Sequence, residues 1–413
     1  MRHFHRSKRP HSAFTLVEML VSMTVLTLIL VMTVQMVGHT QKAWTRASAS
    51  VERFRDARVA FEAVTRRASQ AVLNTYWDYD NVSAPTKFIR QSELHFISGP
   101  RETLLGNNSS GLPGQSQPGA PGYGHAVFFQ APLGYVSALA YTSTNTLLNK
   151  TGLNACGYFL DYATDTSSRP KFLQNNPAVP ARTRYCVFEY REPSEQLSVY
   201  LDNYLGRTYA SSVAANSAPP TLQYQSTGSV STSDARKWYT DDLKKYSRVI
   251  AENVVALVIS PRYPGLSING STVPDFAYAP EYFYDSRGLL SKLQETKITS
   301  IGNTLDAATT NVLPPVLDVT MVALDEASAA RYEALHPGVP PLTAAAQGSP
   351  SGATGGRLFQ SVSSKGSNYS TGDTDDQFET DLATFESYLT SQNLSYQVFR
   401  TSVPVRAAKF STQ

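Results

Sequence analysis

A single carboxylate stands inside an otherwise uncharged apolar run. From Phe14 to Val34 the one charged residue is Glu18, and as a helix this run spans roughly 30 Å, the thickness of a bilayer core. A carboxylate in such a segment costs about 2.5–3.5 kcal/mol on insertion scales, so it requires a local reason or a compensating partner. Thr15-x-x-Glu18 supplies a local reason, the capping box, in which each side chain satisfies a free amide at a helix start. Ahead of the run lie Arg2, Arg6, Lys8 and Arg9 with no acidic residue. Such a flank holds the N-terminus on the cytoplasmic side and sends most of the chain out of the cytoplasm.

The run Ala13-Phe-Thr-Leu-Val-Glu18, followed by about twenty apolar residues, resembles the processing site of type IV pilins and pseudopilins. The resemblance implies that a prepilin peptidase cuts between Ala13 and Phe14 and methylates the new amine. Glu18 then becomes the fifth mature residue and pairs with a neighbouring subunit's N-terminus during assembly. The family places Gly before the cut where this chain has Ala13, another small residue. A general secretory signal fits poorly, because its apolar core is shorter and its only candidate site, Ala47-Ser48-Ala49, lies far downstream beyond Lys42 and Arg46.

Other residue types with chemical potential are sparse. Cys156 and Cys186 are the only cysteines; in an exported domain they are a candidate disulfide, closing a loop worth about 3–4 kcal/mol, and the alternative is two buried thiols that never meet. His39, His95, His125 and His336 make no HExxH pair, and no phosphate loop, G-x-S-x-G elbow or CxxC occurs. The acidic run from Asp373 to Asp381 has the clustered carboxylates that calcium prefers but lacks EF-hand spacing; the simpler of the two readings makes Thr374 the cap of a helix with Gln377 at the capping-box position. No metal, cofactor or catalytic residue is expected. The chain carries a formal charge of +3, and loss of residues 1–13 takes it to −1. No basic stripe remains for nucleic acid.

The elements that must carry the N-terminal segment follow from periodicity. Val37, Trp44 and Val51 recur at seven, as do Ala47, Phe54, Phe61 and Ala68, with Ala57, Val64 and Ala71 alongside. This predicts one helix continuing to about Leu73, with Arg66 and Arg67 among the residues off its apolar face. The helix divides into a transmembrane half (14–38) and an amphipathic half (39–73), after a leader at 1–13. Residues 74–413 form an exported β-rich domain. Strands are expected at Leu94–Ser98, Ala126–Gln130, Gly157–Tyr162, Arg184–Tyr190, Val249–Ser260, Val316–Leu324 and Tyr396–Phe399. Segments 106–124, 210–235 and 338–356, rich in Gly, Ser, Pro, Ala, Asn and Gln, are expected to be flexible surface inserts. The fold class is α+β: a long N-terminal helix packed on an antiparallel sheet, the architecture that the pilin resemblance implies.

Two weaker resemblances refine this reading. Val249–Ile259 and Leu313–Leu324 look like the central strands of the J-type minor component of type II secretion. Phe399–Lys409 with Asn74–Tyr79 resembles verrucomicrobial pilin-like cassette protein C. The resemblance implies a non-enzymatic minor pseudopilin held in the inner membrane by a single pass, with its domain in the periplasm or, after assembly, on the cell surface. Its partners would be prepilin peptidase and other minor and major pseudopilins. The retained Glu18 argues against the K-type tip component, which lacks that carboxylate. The alternative is a membrane-anchored exported binding domain or enzyme with an uncleaved anchor.

Overall fold

A computed structural model describes residues 16–79, 85–86, 88–105, 124–137, 152–164, 169–174, 182–200, 236–262, 266–268, 271–273, 278–287, 310–337, 339, 341–347, 358–360 and 377–408. It divides into a unit ending at Arg53 and a unit beginning at Phe54. The first holds α1 (Leu16–Arg53). The second holds α2 (Arg55–Ala68), β1 (Tyr76–Tyr79), β2 (Phe88–Gln91), β3 (Ile97–Pro100), α3 (Arg101–Leu105), β4 (His125–Pro132), β5 (Leu153–Thr164), α4 (Lys171–Gln174), β6 (Thr183–Glu192), α5 (Lys237–Thr240) and α6 (Leu243–Tyr246). It continues with β7 (Ser247–Glu252), β8 (Val254–Pro261), β9 (Leu266–Ile268), β10 (Ser271–Val273), β11 (Tyr284–Asp285), β12 (Val316–Leu324), α7 (Glu326–Leu335), α8 (Pro341–Gln347), α9 (Gln377–Ser391) and β13 (Tyr396–Pro404). The architecture is mixed α/β, and the sheets are antiparallel.

A six-stranded sheet of order β11-β3-β4-β5-β6-β7 forms because each strand from β3 to β7 turns back on its predecessor. Both of its faces are buried. Val127, Phe129, Tyr158, Leu160 and Val187 point into one core with α2 and β8. Their neighbours Phe128, Phe159 and Phe188 point into a second core with Leu104, Trp238 and Tyr239. The alternation is the strand period of two. Gly157 faces Phe128 across β4–β5, and a Cβ there would collide with the Phe128 ring.

The smaller sheet, β13-β12-β8, lies between two helices. Phe399 meets Phe61 of α2 with ring centroids 5.7 Å apart. The next residue, Arg400, points oppositely, over the Phe378 ring of α9 at 4.6 Å and onto Glu379 at 2.6 Å. Ala57, Phe61, Val64 and Ala68 lie in the buried stripe of α2, as the periodicity predicts, and Ala60 is buried beside them. The side chains of Trp44, Ala47 and Val51 lie outside the described residues.

Four expectations are corrected. The single helix expected to about Leu73 is two, α1 to Arg53 and α2 from Arg55 with non-helical Phe54 between them, and the second ends at Ala68 because Val72 N–H turns to Gln130 O at 2.9 Å. The run Val249–Ser260 is two strands in different sheets. Asn253 at φ 60° carries the chain from β7 to β8, held by its own amide on Glu326 at 2.7 Å. The strand read at Leu94–Ser98 begins only at Ile97, since side chains capture the preceding amides: Gln130 Oε1 takes His95 N–H and Ser286 Oγ takes Phe96 N–H. The insert 338–356 contains α8, which starts on Pro341 and buries Leu342 and Ala345 one turn apart. The inserts at 106–123 and 210–235, and Thr374, lie outside the described residues. A helix does begin at Gln377.

Candidate functional site

The N-terminal segment concentrates the functional signal, and its local structure follows from its composition. From Leu16 to Gly38 the helix has a mean hydropathy of 2.2 and none of it is buried within the chain. These 23 residues reach roughly 34 Å at 1.5 Å per residue, enough to cross a bilayer core. The hydroxyls in the run are satisfied within the helix. Ser22 donates to Met19 O at 2.9 Å, Thr24 to Val21 O at 2.8 Å, Thr27 to Met23 O at 2.7 Å and Thr33 to Ile29 O at 2.7 Å. Each thereby presents its methyl or methylene to the surroundings and leaves no donor for lipid to accept. Glu18 lies in the first turn of α1 and is exposed. There the carboxylate also opposes the positive end of the helix dipole. Ala13 and Phe14, the cleavage-site residues, and Thr15 of the capping box lie outside the described residues.

The candidate disulfide is corrected. Cys156 and Cys186 are both buried thiols that are not bonded to each other. Cys156 stands opposite Arg191 on β6, five residues from Cys186, so the two are separated by roughly 17 Å along the strand direction. A disulfide spans less than 7 Å between Cα atoms. The odd spacing also puts them on opposite faces: Cys156 is in the α2-side core and Cys186 in the other. Burial pushes the Cys156 thiol up to about 12, so it stays protonated and inert.

Two of the four histidines beyond the leader are buried in polar clusters that their sequence surroundings did not reveal. His95 Nε2 meets Asp285 Oδ1 at 2.8 Å, and its Nδ1 accepts from Trp238 Nε1 at 2.9 Å. Indole N–H can only donate, so the ring is the Nε2–H tautomer with both nitrogens engaged. Burial holds its pKa below the usual histidine range, against the pull of Asp285. His125 is likewise neutral: Nδ1 accepts from Ile259 N–H at 3.0 Å and Nε2 donates to Phe359 O at 2.8 Å. These rings stitch chain segments together and leave no free nitrogen to take a proton from a substrate. The side chain of His39 lies outside the described residues, and among the described residues no group of His, Cys, Asp and Glu is placed to hold a metal ion.

A third cluster joins α2 to the sheet. Arg67, read from periodicity as lying off the apolar face, reaches inward to Glu189 and to Tyr158. Arg248 Nε holds the second oxygen of Glu189 at 2.7 Å. The available signal was strand alternation, which puts Glu189 on the same face as the core residue Val187 and so demands a partner.

Residues 8–34 match the family model described as the prokaryotic N-terminal methylation motif. The match covers Lys8 and Arg9 of the basic flank, the Ala13–Phe14 junction, Glu18 and the apolar run to Val34. It supports a type IV pilin-like prepilin motif and, with it, processing by a prepilin peptidase and assembly of the pilin kind. The apolar helix that follows is consistent with a membrane anchor. Neither the curated proteins nor the solved structures hold a match to the chain.

Proposed function

We propose that this chain is a minor pseudopilin: a non-enzymatic subunit of a type II secretion or type IV pilus-like fibre, J-like in position. It would be cut between Ala13 and Phe14 and held in the inner membrane by α1 until assembly. The observation that carries this reading is the coincidence of the methylation-motif match at 8–34 with a helix whose apolar run, Leu16–Gly38, has no buried residue among those described. Such a surface is stable in lipid, or among like helices in a fibre core. In that core the free amine of Phe14 on one subunit would meet Glu18 of a neighbour. Removing one member of a buried pair of this kind costs about 3–5 kcal/mol, enough to set register. The size of the domain beyond Phe54 favours a minor position over the repeating shaft, where subunits pack closely.

The test is the N-terminal residue of protein recovered from membranes, read by intact mass and terminal-peptide spectrometry. A chain beginning at Phe14, with or without one added methyl, supports the reading. A chain beginning at Met1 or near Ser50 overturns it in favour of an anchored or secreted domain with its own ligand.

A further inference from the structure

On the face that meets α2, the six-stranded sheet gathers more positive than negative charge at one place. Glu189 of β6 is 1% exposed and stands opposite Arg248 of β7. Arg67 from α2 and Arg248 divide its two oxygens, and Tyr158 Oη donates to Oε1 at 3.1 Å. Two residues along β6 on the same face, about 7 Å from Glu189 by strand spacing, Arg191 stands opposite Cys156. Its guanidinium lies 4.0 Å over the Tyr135 ring, a stacking that fixes its plane and leaves its N–H edge for an acceptor. Among the described residues no carboxylate pairs with it, and segment 138–151, which follows Tyr135, contains no Asp or Glu. Among the described residues this face therefore brings three guanidinium groups near one carboxylate, Glu189, which pairs with Arg67 and Arg248 and leaves Arg191 without a counter-ion.

We propose that Arg191, with Arg67 and Arg248, forms a binding site for a doubly charged oxyanion of the phosphate class, free or carried as a monoester. The surplus of two positive charges matches a dianion, and planar guanidinium forks pair with phosphate oxygens two at a time. The electrostatics agree: burial, then Arg248 and Arg67, disfavour the charged form of Arg191, and a bound anion reverses that. Arg67 and Arg248 are held in place by Glu189, so the site is assembled before the ligand arrives. It belongs wholly to the unit beginning at Phe54, so its test does not depend on how the N-terminus is processed.

The experiment is calorimetric titration of the full chain in detergent micelles with inorganic phosphate and, separately, with glucose 6-phosphate. Sodium chloride holds the ionic strength constant, so that screening does not change along the titration. Saturable binding of either probe is expected. Comparable affinity for the two marks a site open to a carried phosphate, and binding of inorganic phosphate alone marks a closed site for the free ion. Arg191→Gln should weaken binding tenfold or more while leaving the phosphate-free unfolding midpoint at or above that of the parent. Arg191→Lys should retain part of the affinity, keeping the charge but not the fork. No saturable binding of either probe at millimolar concentration, or unchanged affinity in Arg191→Gln, overturns the proposal.

Discussion

Glu192, at the end of β6, makes the stability of the domain depend on pH. It is fully buried. Its Oε1 accepts from Ser198 N–H at 3.1 Å and lies 2.8 Å from Ser198 Oγ, while Oε2 meets no donor. Ser198 Oγ is also 2.8 Å from Trp238 O. One hydroxyl proton cannot serve both acceptors. When Glu192 is protonated the chain closes, with Glu192 donating to Ser198 Oγ and Ser198 donating to Trp238 O. Burial pushes the carboxyl up from 4.5 to about 7, against the two Ser198 hydrogen bonds that favour the anion. The folded state therefore holds this proton more tightly than the unfolded chain. The stabilisation is complete below the unfolded pKa, declines as pH rises through the window from 4.5 to 7, and is fully lost above it. At 1.36 kcal/mol per pH unit, the loss between pH 5 and pH 8 is about 2–3 kcal/mol. Glu192→Gln removes the ionisation and keeps an acceptor for Ser198. Urea unfolding of parent and variant, each at pH 5, 6, 7 and 8, isolates the effect, because other titrating groups cancel in the difference. The variant should be level with or below the parent at pH 5 and gain on it by about 2–3 kcal/mol by pH 8. A difference that stays constant with pH, or that shrinks as pH rises, refutes the assignment of a buried acid at this position.

Further outcomes follow from the same structure. Glu18→Ala should leave the protein cleaved and membrane-bound but reduce its co-purification with partner pilins, with Glu18→Asp intermediate; normal incorporation of the Ala variant would remove the pairing role. Gly157→Ala should destabilise the domain by about 2 kcal/mol or more in denaturant unfolding, because the Phe128 ring fills the space a Cβ needs. Cys156 and Cys186 should react with a thiol reagent only after unfolding, two per chain, with the same count with and without prior reduction. A single thiol, or none, before reduction would contradict their placement.

Much of the framework was legible because it depends on local period. The α2 stripe Ala57-Phe61-Val64-Ala68 and the strands around Phe128, Phe159, Phe188 and Met321 announce themselves by apolar spacing. So does the apolar run around Glu18. The failures share a cause: a side chain, not the backbone, decides the local path. Asn253 splits one apolar run between two sheets by adopting a left-handed conformation. Gln130 and Ser286 take amides that a ladder would otherwise use, and so delay β3. The cysteine pairing failed for a related reason, since strand positions fix the face of each thiol but register fixes their separation, and register depends on connections that carry no periodic signal. The Arg67–Glu189–Arg248 cluster and the His95–Asp285 pair join residues far apart in sequence, so only the fold brings them together.

The separation of roles along the chain can be tested directly. The described members of the cores begin at the start of α2, with Phe54 just before it and Ala57 within it, whereas no side chain of the apolar run from Leu16 to Gly38 is buried. Folding of the domain and insertion or assembly of the helix then draw on different residues. Leu26→Ala removes a side chain that is 63% exposed, so it should leave the thermal midpoint of the domain unchanged while weakening membrane retention or co-assembly. Phe61→Ala removes a ring packed against Phe399 and should lower domain stability by about 3 kcal/mol, with the anchor intact. If Leu26→Ala lowers the unfolding midpoint of the domain as Phe61→Ala does, α1 contributes to the folded core and the two roles are not separable. If each variant affects only its own readout, residues 16–38 serve contact with lipid and neighbouring helices, and the stability of the globular unit rests on its own cores.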